Sequence, residues 1–431
     1  MSSHDPADPR DAGLPVTRPR GFSTRAIRAA SRPPKVDQRP TTIPIYQTAT
    51  FASADAAELG EVLGGRVPGY AYSRIDNPTT TALGDAAAEL EGAEAGIALA
   101  SGMGAIHAAL VSVLGAGDRV VCTQAVYGTT RSQLTKVLGR FGVTIEFVDA
   151  TDLDAVEAAL AAAPTRVLYA ETISNPRIVV ADHAALADLA HRHGAIYVVD
   201  NTFASPYVCR PIELGADLVV ESATKYLAGH SDVVAGVVAG SRERIAAVRD
   251  AQIDTGGTLA PLAAFLVLRG IATIAVRMER HAENAAALAA WLEDQEGVVR
   301  VYHPSLASHP QRTVAARQLT VGGGMLAFEL AGGRDAGGAF IDALRFTELT
   351  ASLGSVHTMV VHPPSTTHRQ LDEAQLAEAG IAPGLLRVSV GLEDLEDLVA
   401  DFEQALEAAR RAGETRAAAD AIAGDGRVRS S

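Results

Sequence analysis

A lysine that follows an apolar run is the sharpest chemical signal in the sequence. Lys225 lies in the segment Glu221-Ser222-Ala223-Thr224-Lys225-Tyr226, directly after the β-rich run 217–221. An amine at the polar end of a buried strand is costly to desolvate, and forming an imine with an aldehyde cofactor removes that cost. The hydroxyl groups of Ser222 and Thr224 suit a phosphate. An ordinary surface lysine after a strand stays the alternative, because so short a motif also occurs by chance.

A second apolar run ends in a carboxylate. In Val198-Val199-Asp200-Asn201-Thr202, Asp200 directly follows the apolar residues of the run that begins at Ile196. Pyridoxal 5′-phosphate (PLP) needs a protonated ring nitrogen to accept the electrons of a carbanion, and an aspartate paired with that nitrogen keeps it protonated. An aspartate that caps a loop is the alternative interpretation.

Two further segments could complete such a site. Ser101-Gly102-Met103-Gly104-Ala105 ends a strand and opens an apolar helix, and backbone N–H groups at a helix N-terminus bind anions. This turn lacks the G-x-G-x-x-G spacing of a dinucleotide fingerprint. Tyr127 follows the next strand and could stack on a flat ring, although a half-buried packing role is also possible for it.

Alternating strands and helices must position these residues. Helical patterns at 130–141, 153–163 and 181–193 separate several β-rich runs, which lie at 119–123, 143–148, 166–170, 196–200, 217–221 and 233–239. This alternation predicts an α/β fold with a mainly parallel sheet and helices on both faces. Ligands bind at the carboxyl ends of such strands, where the polar segments described above fall.

A smaller α/β region follows a long predicted helix over 274–295. Its predicted strands are 298–302, 325–330 and 386–390, and the predicted helix 394–411 closes it. Residues 1–40 carry Pro, Arg and Asp without an apolar segment, so they are predicted to be a disordered leader. We therefore predict a large domain, a smaller domain and a flexible tail, at 85–272, 273–412 and 413–431.

Composition limits the classes of partner. The chain has 431 residues, 48% of them hydrophobic and only 5% aromatic, and a formal net charge of −14. An acidic protein of this kind is a poor match for nucleic acid or an anionic membrane. The 23 uncharged residues Ala95–Gly117 could suggest a membrane span, but the break at Ser101-Gly102 favours a buried strand, turn and helix. Cys122 and Cys209 give no disulfide framework, which predicts a cytoplasmic setting.

The order of these motifs resembles the Cys/Met-metabolism family of PLP enzymes, the trans-sulfuration enzymes. The resemblance extends over about residues 24–409. It rests on YQTATF, YSR with NPT, SGMGA, VVDNT, SATKYLAGH and LRVSVG, which begin at Tyr46, Tyr72, Ser101, Val198, Ser222 and Leu386. The resemblance implies a PLP-dependent transferase fold of type I, similar to aspartate aminotransferase.

The resemblance also implies a role for each matching residue. Lys225 would form the imine with PLP, Asp200 would pair with the ring nitrogen, and Tyr127 would stack on the ring. The phosphate would be bound by Gly102, Met103, Ser222 and Thr224, with Asn175 near the phenolic oxygen. Arg387 would bind the substrate carboxylate, helped by the backbone at Ser352 and Leu353. Tyr72 and Arg74, in an N-terminal arm at 41–84, would reach the neighbouring subunit's cofactor, so a homo-oligomer is expected, most simply a tetramer.

The implied reaction is γ-elimination from a sulfur amino acid, which yields α-ketobutyrate, ammonia and a thiol. Within the family, the motifs are most similar to those of methionine γ-lyase and cystathionine γ-lyase. The alternative is γ-replacement on O-acetylhomoserine or O-succinylhomoserine, because Thr129, His357 and the segment 362–368 depart from the lyase pattern. A PLP-bound module without turnover is a further alternative, which a free base such as Lys225 argues against. His357, His362 and His368 match no common zinc spacing, so no metal is expected.

Overall fold

A seven-stranded sheet forms the larger part of the fold. The computed structural model describes residues 40–366, 376 and 380–428, with side chains described as far as residue 415. The strand order is β1-β7-β6-β5-β4-β2-β3, and β7 runs antiparallel to both of its neighbours while the other pairs are parallel. The strands are β1 Ala95–Leu99, β2 Arg119–Thr123, β3 Thr144–Val148, β4 Val167–Glu171, β5 Ile196–Asp200, β6 Leu218–Glu221 and β7 Gly236–Gly240.

Burial on both faces explains why these strands are continuous apolar runs. Every residue of β4, β5, β6 and β7 is buried. Apolar clusters fill the space on both faces: Val198 and Tyr169 belong to one cluster, while Val199 and Leu168 belong to another. Neighbouring residues therefore point to opposite faces, as strand geometry requires.

Thirteen α-helices are assigned within the described residues. Those before the second sheet are α1 Ala56–Leu63, α2 Pro78–Glu91, α3 Gly102–Val111, α4 Gly128–Ser132, α5 Leu153–Ala162, α6 His183–Arg192, α7 Ser205–Val208, α8 Arg242–Thr255, α9 Pro261–Ile271 and α10 Ile274–Glu293. Those after it begins are α11 Arg312–Gln318, α12 Gly333–Ala343 and α13 Leu395–Val428. Asn77, Ser101 and Asp182 each cap a helix by accepting a hydrogen bond from a backbone N–H of its first turn.

A five-stranded sheet lies in the later part of the chain. Its order is β10-β11-β12-β9-β8, antiparallel except for the pair β10 and β11. The strands are β8 Val298–Tyr302, β9 Met325–Leu330, β10 Glu348–Leu349, β11 Met359–Val361 and β12 Leu385–Ser389. Phe328, Phe340 and Phe402 meet in the core that joins this sheet to α12 and α13. The predicted boundary at 272/273 falls between the two sheets, and the division into domains stays a prediction.

The structure differs from the predicted elements in three places. The predicted helix 130–141 is α4 followed by a π-helix, Gln133–Val137, and a 3₁₀ turn, Leu138–Phe141. The last helix continues to Val428, beyond its predicted end at residue 411. The short strands β10 and β11, of two and three residues, have no counterpart among the predicted runs.

The uncharged stretch 95–117 forms β1, a turn and α3, as its composition favours. Across the described ranges, no single helix is long and apolar enough to cross a membrane. Helices α9 and α10 reach that length and composition only as a pair, and they are bent by 62° relative to each other. The predicted leader falls, except for residue 40, outside the described residues.

Candidate active site

The predicted residues meet in a cavity at the carboxyl edge of the larger sheet. The cavity has a volume of about 240 Å³. Because β1, β4, β5 and β6 run in the same direction, the residues at their carboxyl ends reach one edge. Of the predicted site residues, ten line this cavity: Gly102, Met103, Tyr127, Asn175, Asp200, Ser222, Thr224, Lys225, Leu353 and Arg387. Ser352 accepts a hydrogen bond from Lys225, which lines the cavity. Tyr72 and Arg74 lie away from the cavity.

Lys225 follows β6 and extends its amine toward the second sheet. Its Nζ donates a hydrogen bond of 2.8 Å to Ser352 Oγ. Burial, and secondarily the positive charge of Arg387, lower the pKa of the Lys225 amine to about 8. A lysine in this state can lose its proton near neutral pH, which an imine-forming or proton-accepting amine requires.

The N-terminus of α3 lies against the segment that carries Lys225. Ser101 caps the helix through Gly104 N–H at 3.0 Å. A Cβ added at Gly102 would lie 2.6 Å from Ser222 Cβ, so only glycine permits this approach. Free first-turn N–H groups and a neighbouring hydroxyl form a site suited to a phosphate. Thr224 differs from expectation in one detail, because its hydroxyl is already hydrogen-bonded to the backbone of Ala235.

Asp200 ends β5 and is almost fully buried. One oxygen, Oδ1, accepts the Thr202 N–H at 2.9 Å, and the Tyr169 hydroxyl lies 3.4 Å from Oδ2. Burial raises the pKa of the Asp200 carboxyl. A buried carboxylate of this kind gains most from a cationic partner, which fits the ring nitrogen of PLP.

Glu171 is a site residue that sequence reasoning missed. It ends β4 and pairs in register with Asp200 of β5. Its two carboxyl oxygens accept the backbone N–H groups of Tyr127, at 2.6 Å, and of Asn175, at 3.3 Å. Burial, followed by the charge of Asp200, raises the pKa of Glu171 well above its usual range. One carboxyl group thus holds two loops of the site, and only the pairing of β4 with β5 reveals it.

Arg387 projects from β12 into the cavity opposite Lys225. Its Nη1 donates to Asn175 Oδ1 and its Nη2 to the Ser352 carbonyl oxygen, both at 3.0 Å. Nε is buried and has no acceptor in the described part of the chain. Burial lowers the pKa of Arg387 to about 10, so the side chain remains a cation at neutral pH. A buried cation with an unused donor is suited to binding a carboxylate.

Tyr72 and Arg74 lie on the surface of the arm. The Arg74 guanidinium is 5.5 Å from the centre of the Tyr72 ring, and Arg74 Nη1 donates to the Ile253 carbonyl oxygen at 2.8 Å. Tyr72 is 42% exposed. Neither residue reaches the cavity of its own chain, which leaves their expected contact with a neighbouring subunit as a prediction.

The histidines considered for a metal lie in other settings. His362 is buried and contacts Ser365 Oγ and the Pro383 carbonyl oxygen, both at 2.8 Å. His357 lies 3.5 Å from Ser355 Oγ, and His368 falls outside the described residues. Over the part of the chain with described side chains, no group of three or more His, Cys, Asp and Glu residues is placed to hold a metal ion.

The fold and the site together define a PLP-dependent enzyme of fold type I, and a solved structure agrees. The chain is similar to cystathionine γ-synthase from Xanthomonas oryzae pv. oryzae, solved in complex with cystathionine. The TM-score is 0.81 and the identity 39%, over 86% of this chain and 94% of that one. The two chains are therefore similar in sequence as well as in fold.

Sequence comparisons give the family. The family model for Cys/Met metabolism PLP-dependent enzymes matches residues 23–407. L-methionine γ-lyase of Pseudomonas putida is 46% identical over 391 residues, covering 90% of this chain and 98% of that protein. O-succinylhomoserine sulfhydrylase of Pseudomonas aeruginosa is 42% identical over 387 residues, covering 90% and 95%. The chain belongs to the Cys/Met metabolism PLP-dependent enzymes, and the predicted family, fold class and cofactor are confirmed.

Proposed function

We propose that the protein is a carbon–sulfur lyase that catalyses γ-elimination from sulfur amino acids, with methionine, homocysteine and cystathionine as candidates. The products would be α-ketobutyrate, ammonia and a thiol. The observation that carries this proposal is the pairing of Lys225 and Arg387 in one cavity, where an amine with a pKa of about 8 faces a buried guanidinium. The similarity to L-methionine γ-lyase over 98% of that protein supports elimination as the reaction.

The cavity residues fit PLP in type and position. Lys225 would hold the aldehyde carbon, Asp200 the ring nitrogen, and Tyr127 one face of the ring. Gly102, Met103, Ser222 and Thr224 would hold the phosphate, and Asn175 would lie near the phenolic oxygen. Bound PLP supplies an electron sink, so that protons on the substrate's Cα and Cβ become acidic enough to remove.

Residues of the chain itself would bind the substrate and transfer protons. Arg387 would bind the substrate carboxylate with its paired N–H donors, supported by Ser352 and Leu353. The amine of Lys225, released when substrate binds, would accept the proton from Cα and deliver it onward. Tyr127, about half exposed above the cavity, would protonate the leaving sulfur. The hydrogen bond between Lys225 and Ser352 supports a position of the amine beside the proposed carboxylate site.

A second candidate reaction is γ-replacement on an acylated homoserine. It shares every step up to loss of the group on Cγ, so the residues named so far do not separate the two reactions. The specific support is the 42% identity to an O-succinylhomoserine sulfhydrylase over 95% of that protein. The residues expected around Cγ are Tyr127, Thr129, Ala351, Ser352 and His357, and of these Tyr127 and Ala351 line the cavity.

A substrate panel distinguishes the two reactions. PLP-loaded protein is offered methionine, homocysteine, cystathionine, O-acetylhomoserine and O-succinylhomoserine separately, with and without sulfide or cysteine. γ-Elimination predicts keto acid from a sulfur amino acid without any added thiol. Reaction of the acylated homoserines alone, with sulfide or cysteine diverting them to homocysteine or cystathionine, would favour replacement. No keto acid, no new thiol and no new thioether from any substrate would instead support a PLP-bound module without turnover.

We further propose a homo-oligomer, most simply a tetramer built from two dimers. Helix α1 of the arm has no buried residue, and Tyr46, Leu63, Val67 and Tyr72 on the arm are at least 40% exposed. Apolar side chains grouped in this way are typical of a protein interface. Tyr72 and Arg74 would then reach the phosphate of the neighbouring subunit's cofactor.

Subunit mixing tests this assembly. An Arg74→Ala protein and a Lys225→Ala protein should each be inactive, and mixing them should restore part of the activity, because hybrid dimers contain one intact site. No recovery after verified subunit exchange would show that each site is built within one chain. A cytoplasmic location is also proposed, since Cys122 and Cys209 are both buried free thiols.

A further inference from the structure

A second cavity lies beside the active site and takes no part in the proposed reaction. It has a volume of about 650 Å³ and lies at the carboxyl ends of β2, β3 and β4, the edge at which parallel sheets bind ligands. Arg300 and Tyr302 of β8 and the nearby His309 form its opposite wall. Glu171 and Asn175 line both cavities, so the two spaces share a wall.

Positive charge dominates the lining of this second cavity. Among the described residues that line it, Arg131, Arg177 and Arg300 contribute three guanidinium groups, and Asp149 and Glu171 contribute carboxyl groups. Both carboxyl oxygens of Glu171 already accept hydrogen bonds from backbone N–H groups, those of Tyr127 and Asn175. The Asp149 carboxylate likewise accepts hydrogen bonds from the backbone and hydroxyl of Thr151.

The three guanidinium groups have unused N–H donors. Within the described residues, none of them donates a hydrogen bond or forms an ion pair, and Arg177 Nε is buried without an acceptor. Arg131 lies 3.8 Å from the centre of the Phe147 ring, and Arg300 lies 5.0 Å from that of Tyr302. In such a contact the flat face of the guanidinium group lies on the aromatic ring, and the N–H groups at its edge stay free to bind an anion.

We propose that this cavity binds a small dianion, a dicarboxylate or a phosphate ester, at a site separate from the active site. The volume is that of a small-molecule pocket. Guanidinium groups match carboxylate and phosphate oxygens in pairs. Arg177 and Arg300 both lie close enough to Tyr302 to affect its pKa, whereas Arg131 stacks on Phe147 of β3. A dianion offers enough charge and acceptor oxygens to bind guanidinium groups of both sides together, whereas a monocarboxylate neutralises only one.

Calorimetry with the PLP-loaded protein tests the proposal. Succinate and inorganic phosphate serve as the two divalent probes, and acetate serves as the monovalent comparison. We expect saturable binding of at least one divalent probe at one site per chain, about tenfold or more tighter than acetate. Whichever probe binds more tightly identifies carboxylate or phosphate as the preferred acidic group. Absence of saturable binding of both divalent probes at millimolar concentration would overturn the proposal.

Variants locate the binding. The Arg177→Gln/Arg300→Gln protein should lose about tenfold or more of the affinity, because charge-assisted hydrogen bonds are lost. Arg300→Gln alone, at an exposed position, should fold normally and show part of the same loss. Arg312→Gln is the matched control: this exposed arginine lies close enough to influence the pKa of His309 but does not line the cavity, so its removal should leave affinity unchanged.

The active site needs a control of its own, because it also binds carboxylates. An Arg387→Gln protein should bind the divalent probe as tightly as the unaltered chain does. The Arg177→Gln/Arg300→Gln protein should keep its kcat for the amino-acid substrate. Binding that disappears in Arg387→Gln and persists in the double variant would assign the anion to the active site and refute a second site.

Discussion

Replacement of Arg387 tests the proposed contact with the substrate carboxylate quantitatively. The guanidinium is fully buried, and its two described hydrogen bonds leave Nε without an acceptor. Arg387→Ala would leave a bound carboxylate buried without its cation, a loss of about 3–5 kcal/mol for a broken buried pair. At about 1.4 kcal/mol for each factor of ten, kcat/KM should fall roughly 100-fold to a few thousand-fold.

Arg387→Lys should give an intermediate result. The lysine retains a positive charge but offers no planar pair of donors. The loss of one charge-assisted hydrogen bond corresponds to about 1.5–3 kcal/mol, which lowers kcat/KM by roughly 10- to 150-fold. Burial lowers the pKa of Arg387 to about 10, and the pKa of a lysine at this position should be lower still for the same reason, so the activity of the variant relative to that of the unaltered protein should rise as the pH is lowered from 9 to 7.

The assay compares methionine with 3-(methylthio)propylamine, which is the same molecule without its carboxylate. The unaltered protein should strongly prefer methionine, and Arg387→Ala should lose most of that preference while processing the amine nearly as before. Circular dichroism confirms that the variant is folded. If Arg387→Ala slows both compounds equally, or lowers kcat/KM for methionine less than about threefold, the side chain does not bind the carboxylate.

Three further outcomes follow from the structure. Lys225→Ala should lose turnover by roughly 10²–10⁴-fold or more, while the phosphate contacts retain PLP in a dialysed sample; near-normal activity would contradict its role as the base. Glu171→Ala leaves two N–H groups without an acceptor, which costs about 1–3 kcal/mol and should lower kcat/KM by roughly 5- to 150-fold. Glu171→Gln should lose less activity, and equal losses in the two variants would argue against the hydrogen bonds. Burial lowers the pKa of His303 to about 4, below its unfolded value of about 6.5, so its contribution to stability is lost as the pH falls from 6.5 toward 4. Urea unfolding of His303→Gln should therefore show a stability deficit that narrows by about 1.4 kcal/mol per pH unit over that interval, and a constant deficit would refute this.

The site residues that could be predicted from the sequence share two properties. Their chemistry allows few residue types, and they lie at the end of a strand. Lys225 and Asp200 each follow an apolar run, and the parallel sheet places both at one edge. Glu171 was not predicted because its importance depends on β4 lying beside β5, which a single strand pattern does not reveal. The signal available in the sequence was a carboxylate directly after the apolar run 166–170.

The elements that were missed or altered are those that a local sequence pattern does not specify. The strands β10 and β11 have only two and three residues, so neither is long enough to show alternation. The segment 128–141 has helical periodicity throughout, but periodicity does not distinguish α-helix from the π-helix Gln133–Val137. The arm residues Tyr72 and Arg74 depend on a neighbouring chain for their expected contacts, which no pattern within one chain specifies.

The two side chains proposed to act on the substrate come from different sheets. Lys225 follows β6 of the larger sheet, whereas Arg387 belongs to β12 of the smaller one, and Ser352 bonds to both side chains. Ser352 thus links the amine and the guanidinium, and in the proposed function this link would set the distance between the carbon that loses its proton to Lys225 and the carboxylate bound by Arg387. A β-amino acid has one more carbon between its amino-bearing carbon and its carboxylate, so it should not satisfy both residues even when its sulfur-bearing side chain is unchanged.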